Sequence, residues 1–246
     1  MLRFFRQIRK KLMEQNKVRT YLLYAVGEIA LVMIGILLAL QVNNWNEKKN
    51  QSQTAQYHLK ILKQNLEDDK EQLQELIHNA YDRERMALNM SDIIQLKTEP
   101  NDSIAGNIAQ LLLEFNFKPR TNGIDLLISS GSLDALNSDI QNSISKYYLS
   151  TEAIQEREEI SNRFIHQYET FVFENYSQIW GKGNTNDMFV PLYEDDQRPP
   201  ISFNLKYFLS DKKMEAYVFA RLYQIRKQID TYDQGLLMLE ELSRKI

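Results

Sequence analysis

Cysteine is absent from this 246-residue chain, and glycine and proline are scarce, at eight and five residues. The lack of cysteine excludes disulfide bonds, thiolate metal sites and cysteine nucleophiles together, and it leaves the redox compartment open. So few turn-forming residues do not suit a many-stranded β-sandwich, whereas long helices tolerate them. With 43% hydrophobic and 26% charged residues, the chain is not disordered throughout. The composition therefore predicts an all-α protein.

Catalytic motifs are missing as well. The chain has no G-x-S-x-G nucleophile elbow and no H-E-x-x-H pair, and the Gly-Lys-Gly at residues 181–183 lacks the rest of a phosphate loop. Glu75 and His78 have the E-x-x-H spacing of di-iron bundles, but Arg163 stands where His166 would need a glutamate. We therefore predict that the protein is not an enzyme and holds no cofactor or metal.

Acidic runs and tyrosines have ordinary interpretations. The runs at residues 67–69 and 194–196 lack the spacing of a calcium loop, so we interpret them as solvated surface. Four tyrosines share one predicted helix: Tyr147, Tyr148, Tyr168 and Tyr176. We interpret them as bundle core with hydroxyls at its edge rather than as a ligand platform.

Charge is distributed unevenly around the net value of −3. Residues 1–20 carry seven basic side chains and one acidic one, whereas residues 43–246 have a net charge of −8. The apolar residues 21–42 between them contain a single charged side chain, Glu28. This layout is typical of a membrane protein and not of a nucleic-acid-binding one. It predicts a basic cytoplasmic amphipathic tail (1–20), a transmembrane helix (21–42) and an extracytoplasmic, periplasmic helical domain (43–246).

The apolar segment has the length and composition of a membrane anchor. Its 22 residues span about 33 Å as a helix, against about 30 Å for the hydrocarbon core. Twelve of them are Leu, Ile or Val, each favouring insertion by about 0.3–0.6 kcal/mol, which outweighs about 3 kcal/mol for Glu28. The run is too long for a signal peptide, and no A-x-A-like site follows it. We therefore predict an uncleaved anchor in the bacterial inner membrane.

The basic bias of residues 1–20 predicts that the N-terminus stays in the cytoplasm. Phe4, Ile8 and Leu12 recur every four residues among basic side chains, which suits a helix lying on the membrane surface; a disordered charged tail is an equal alternative. The predicted interfacial anchors are Phe4, Phe5, Arg6, Arg9, Lys10, Tyr21, Tyr24 and Trp45.

Glu28 shares a helical stripe with Gly35 and Ala39, because offsets of seven and eleven residues return to nearly the same face. Small residues four apart let two membrane helices approach closely. We hypothesise that this stripe packs against a partner helix. The alternative is a Glu28 near the headgroups without a role.

The remaining sequence predicts an antiparallel bundle with long helices. Leucines spaced by three and four residues favour one helix from the anchor to about Lys97, where Pro100 follows. Shorter helices are predicted at 103–115 and 123–129, with a stop at Gly131, and a long one at 134–179. A loop is predicted at 181–201. An elongated coiled-coil dimer is the alternative that the broken middle disfavours.

The last helix has the clearest pattern. Ser210 is the predicted N-cap. Seven apolar residues then alternate in steps of four and three, the seam of left-handed helix packing: Val218, Leu222, Ile225, Ile229, Tyr232, Leu236 and Leu239.

The anchor region also resembles a known family. The stretches that carry the resemblance read FFRQIRKKL (4–12), YAVGEI (24–29), IGIL (34–37), LQVNNWNE (40–47) and SGSL (130–133), followed by Tyr147-Tyr148. They are similar to an uncharacterised family of single-span membrane proteins from Bacteroidota, the domain of unknown function numbered 6090. The resemblance implies an inner-membrane protein with a periplasmic helical domain, and it implies no activity.

These observations predict a membrane-anchored helical protein of unknown biochemical activity, acting as a protein-interaction or structural module of the cell envelope. Its expected partners are membrane lipid and either a second copy, as a homo-oligomer, or another membrane protein; no small molecule is identified. The alternative is a sensor-like ligand-binding bundle, which would signal through a partner because about 20 cytoplasmic residues cannot form an output domain.

Overall fold

The computed structural model describes residues 18–100, 104–176, 179, 190–199 and 202–246. Within these residues the chain is helical and has no strand. The helices are α1 (Val18–Ile94), α2 (Ile104–Leu111), α3 (Asn122–Ser129), α4 (Ser138–Asn175), α5 (Leu205–Ser210) and α6 (Lys212–Ser243). Short 3-10 helices occupy Ser132–Ala135 and Val190–Tyr193. The predicted all-α class is confirmed.

Helix α1 joins the apolar segment to the bundle without a break. Its 77 residues correspond to about 115 Å of helix. Residues 43–54, here called the stalk, are exposed throughout, and buried positions begin at Ala55. The helix ends three residues before the predicted Lys97, and Leu96 then takes a left-handed φ of 57°.

The chain between α1 and α4 runs back along α1 toward the stalk. Near its start Asn107 lies 3.5 Å from Asn89, and near its end the Ser130 hydroxyl lies 3.2 Å from His58 Nδ1. Later residues of this segment therefore contact earlier residues of α1, so the segment runs antiparallel to α1. We call residues 104–136 the returning segment.

Helices α4 and α6 complete the bundle. Helix α6 runs antiparallel to α1, because Arg226 pairs with Glu84 and Glu240 pairs with Lys70. Helix α4 runs parallel to α1, because the returning segment before it runs in the opposite direction. Thus α1, the returning segment, α4 and α6 alternate in direction along the chain, as an antiparallel bundle requires.

The core lies where the leucine spacing of α1 faces the seam of α6. Leu62, Leu66 and Leu73 are each 0–1% exposed. The predicted seam of α6 is buried or half-buried at every position. All six helices contribute buried side chains to this one apolar core. The helical spacing of apolar residues in the sequence predicted the parts of it on α1 and α6.

Several predicted boundaries need correction. Helix α4 begins at Ser138, because the side chain of Asn137 caps it by accepting from the Ile140 N–H at 2.8 Å. It ends at Asn175 rather than at residue 179. Part of the predicted 181–201 loop, residues 181–189 and 200–201, lies outside the described residues.

The predicted N-cap of the last helix is wrong. Asp211, not Ser210, caps α6 by accepting from the N–H groups of Lys213 and Met214. The Ser210 hydroxyl instead donates to the Tyr207 carbonyl at the end of α5. A carboxylate is favoured there because it also meets the positive end of the helix dipole.

Candidate functional site

The first candidate site is the apolar N-terminal part of α1, residues 21–42. An 18-residue window in this helix has a mean hydropathy of 2.3 and none of it is buried. Its side chains are exposed, for example Leu31 at 72% and Leu38 at 56%. Within the described residues this helix is long and apolar enough to cross a membrane.

The predicted packing stripe lies on this exposed helix. At about 100° per residue, Glu28, Gly35 and Ala39 fall within about 40° of one another around the helix axis. A side chain added at Gly35 would meet nothing within 4 Å. Ala39 is exposed and Glu28 is half-buried. The stripe is therefore free of bundle contacts at Gly35, and the hypothesis of a partner helix stays a prediction.

The interfacial anchors are only partly described. Trp45 is 66% exposed at the start of the stalk, with Lys49 Nζ 5.7 Å from its ring centroid. Tyr21 and Tyr24 belong to the helical backbone of α1, but their side chains lie outside the described residues. The other predicted anchors lie outside the described residues altogether: Phe4, Phe5, Arg6, Arg9 and Lys10.

The second candidate site is a set of buried polar side chains around the returning segment. Helix α2 stops at Leu111, four residues before the predicted end. Its last carbonyl accepts from Arg221 Nε and from the Tyr217 hydroxyl, both at 3.0 Å. Arg83 Nη1 donates to the Leu113 carbonyl at 3.4 Å. Cations at a helix C-terminus are favourable, so these arginines stabilise the point where α2 ends.

Carboxylates accept hydrogen bonds from backbone N–H groups of the returning segment. Both oxygens of Glu158 lie 2.9 Å from the Phe117 N–H, and one accepts from the Tyr232 hydroxyl at 2.6 Å. Burial raises the pKa of Glu158, although these hydrogen bonds and the charge of Arg83 oppose the rise. Glu158 therefore links the returning segment, α4 and α6 through one side chain.

Asp69 of α1 also links the returning segment to another helix. It accepts from the Arg120 N–H at 2.9 Å and from the Tyr147 hydroxyl at 2.7 Å, and it is 0% exposed. Burial raises its pKa, and the hydrogen bonds from Tyr147 and Arg120 lower it by less. The prediction that residues 67–69 form solvated surface is thus wrong for Asp69, while Glu67 and Asp68 are exposed.

Two amides on α1 continue this pattern. Gln72 Oε1 accepts from the Lys118 N–H at 2.6 Å, and its Nε2 donates to the Lys118 carbonyl at 3.2 Å. Asn65 accepts from the Gly123 N–H at 2.8 Å, at the start of α3. Thr121, the N-cap of α3, makes no side-chain cap bond, so Asn65 takes that role from another helix.

Sequence reasoning missed these polar residues, although the sequence holds a signal for Asp69 on α1 and for two polar residues of α6. Asp69 interrupts the leucine spacing of α1 at a core position. On α6, Arg221 and Gln228 stand on the inward face beside the apolar seam and are 0% and 1% exposed. Of the four tyrosines, Tyr147 and Tyr176 are fully buried and hydrogen-bond to aspartates.

Metal-binding residues do not converge in the described part of the chain, where no three His, Asp or Glu side chains are placed to share an ion. His78 is exposed beside Asp82, and His166 pairs with Glu114. Glu75 is exposed on the surface of α1.

The fold and these sites define a class: an all-α bundle with one exposed apolar helix suited to cross a membrane. Within that class, the chain belongs to the DUF6090 family, a family of unknown function, whose model matches residues 28–166. The match extends from the apolar segment through the returning segment into α4. No curated protein and no solved structure matches the chain. The resemblance to this family is confirmed, and it supplies no activity.

Proposed function

We propose that this protein is a single-pass membrane protein whose helical bundle acts as an interaction or structural module of the bacterial cell envelope. The observation that carries the proposal is the apolar N-terminal part of α1, which the bundle leaves uncovered. Exposed apolar surface on this scale is unfavourable in water and favourable in lipid. In this account residues 21–42 span the membrane and residues 43–246 form the domain outside it.

The proposed orientation has the N-terminus in the cytoplasm and the bundle in the periplasm. It is supported by the basic residues before the span, which hold that end on the cytoplasmic side. The inner membrane of a bacterium of the Bacteroidota type is supported by the sequence resemblance alone.

The orientation is testable with single cysteines, because the native chain has none. We would compare Leu149→Cys, at a site 60% exposed on the bundle, with Gln15→Cys in the tail. A membrane-impermeant maleimide should label residue 149 in spheroplasts and residue 15 only after lysis. Labelling of residue 15 before lysis would contradict the orientation, and labelling of both would contradict a span.

The proposed partner is a second transmembrane helix that packs on the stripe of Glu28, Gly35 and Ala39, from another copy or another membrane protein. Close approach there is supported by the small residues at positions 35 and 39. The polar side chain of Glu28 would be expected to face that partner rather than lipid.

Cysteine crosslinking along the span tests this interface. Gly35→Cys and Ala39→Cys should crosslink in membranes, whereas Leu37→Cys, on the opposite face, should not. Crosslinking without helical periodicity would count against the interface. A heterologous partner would leave these homodimer crosslinks absent and would co-purify at a fixed stoichiometry in mild detergent.

A sensor-like ligand-binding bundle is the second candidate function. The observation that favours it is the buried polar cluster of Arg83, Glu158 and Arg221 inside the bundle. Purification in mild detergent distinguishes the two functions. A stoichiometric protein partner supports the interaction module, and a lone protein with a small organic molecule retained in the bundle supports the sensor.

A further inference from the structure

Two arginine side chains are buried close to each other in the bundle core. Arg83 of α1 and Arg221 of α6 are 2% and 0% exposed. Their guanidinium groups bind carbonyls only two residues apart, at Leu113 and Leu111. Burial, and after it the charge of Arg221, lowers the pKa of Arg83 to about 9. Two cations thus share a buried region that disfavours charge.

Among the described residues, Glu158 is the carboxylate whose charge acts on Arg83, and its oxygens are already engaged. They accept from the Phe117 N–H and the Tyr232 hydroxyl rather than from either guanidinium. Burial also raises the pKa of Glu158, which weakens it further as a counter-charge. A buried cation without a matched anion is strongly unfavourable.

Each arginine keeps one nitrogen unsatisfied. Nη2 of Arg83 and Nη2 of Arg221 are buried and have no hydrogen-bond partner among the described residues. The other nitrogens of Arg221 are used, since Nε binds the Leu111 carbonyl and Nη1 binds Ser161 Oγ at 2.8 Å. The free nitrogens are therefore the remaining donors of two fixed side chains.

The ring of Phe115, in the returning segment, covers one face of the Arg83 guanidinium. Its centroid lies 3.7 Å from the guanidinium carbon. Stacking on an aromatic face orients the guanidinium and shields it from water. The two arginines thus contact the returning segment and α4 as well as their own helices.

We propose that Arg83 and Arg221 bind one small inorganic anion of the halide class, such as chloride, in the core of the bundle. The anion accepts from the two free Nη2 groups and neutralises the excess charge that Glu158 leaves. A monoatomic ion suits this region, because both arginine side chains are almost fully buried. The competing occupant is water, which would accept from the same two Nη2 groups.

Thermal unfolding of the full chain in detergent tests the site, with sodium chloride compared against sodium gluconate at equal ionic strength. Chloride should raise the melting temperature saturably, by at least about 2 °C. Arg83→Met should lose this rise. Arg85→Met is the matched control, since Arg85 is 77% exposed two residues away, and it should keep the rise. No chloride-specific rise, or an equal rise in Arg83→Met, overturns the proposal.

Bromide provides a readout that does not depend on a folded variant. Crystals of the unsubstituted chain grown in bromide should show an anomalous peak within hydrogen-bond distance of both Nη2 atoms. A water molecule without anomalous signal at that point overturns the proposal, as do bromide peaks confined to the surface.

Discussion

At the scale of single residues, the buried polar side chains form hydrogen bonds with backbone groups that lie outside regular helix. A continuous helix satisfies its own N–H and C=O groups, but the returning segment leaves helical geometry between Leu111 and Asn122. Its backbone groups must then be paired from outside. Asp69, Glu158 and Arg221 supply such partners from three different helices.

Removal of Asp69 should expose this dependence. Asp69→Ala leaves the Arg120 N–H and the Tyr147 hydroxyl without an acceptor, so we expect the free energy of unfolding to fall by about 2–4 kcal/mol. The control is Asp68→Ala, an exposed neighbour, which should change it by less than about 0.5 kcal/mol. Urea denaturation followed by circular dichroism measures both. Equal effects would contradict the assigned role.

Glu158 should make stability depend on pH. Its pKa is raised on folding, so its stabilising contribution is full below the unfolded pKa and is lost as pH rises through the folded pKa. Glu158→Gln stays neutral at every pH. The difference in unfolding free energy, native minus variant, should therefore decrease from about pH 4.3 upward until Glu158 is fully ionised.

Urea titrations of both chains at several pH values between 4 and 8 provide that difference. A difference that increases with pH would mean that folding lowers the pKa of Glu158. A constant difference would mean that the carboxyl titrates alike in both states.

At the scale of elements, the position of the returning segment depends on a close approach of α3 to the backbone of α1 at Gly123. A Cβ at Gly123 would lie 2.5 Å from the Leu62 Cα and 2.6 Å from its backbone nitrogen. Neither atom can move without shifting α1. Glycine is therefore required where α3 starts, for space rather than for backbone freedom.

Alanine substitutions at two glycines should have opposite effects. Gly123→Ala should destabilise the fold by about 2 kcal/mol or more, because a backbone clash must be relieved. Gly106→Ala, in α2, meets nothing within 4 Å and should stabilise it by up to about 1 kcal/mol. Melting temperatures report the sign. Similar effects at both sites would contradict the close packing of α3 on α1.

Sequence patterns predicted the elements better than their junctions. The apolar segment, the leucines of α1 and the seam of α6 follow helical periodicity, which a single chain displays directly. The burial of Asp69 depends on an N–H group 51 positions away, and no local pattern contains that information. The end of α2 at Leu111 likewise depends on Arg221 from the last helix.

At the scale of the whole molecule, one helix belongs to both the proposed anchor and the bundle. The stalk is helical and exposed throughout, so it adds about 18 Å between the apolar segment and the first buried residue. A rotation of the span about its axis would be carried into the bundle, because α1 also holds Asn65, Asp69 and Gln72. A flexible tether would transmit no such rotation.

Distances across the stalk test this continuity most directly. Spin labels on cysteines at Ile34 and Gln53, in lipid nanodiscs, are separated by 19 residues and should give a narrow distribution near 28 Å. Labels at Glu71 and Leu88, both exposed on the packed part of α1, provide the reference width. Equal widths are the result that the account predicts. A stalk distribution much broader than the reference, or centred well away from 28 Å, would contradict a continuous α1.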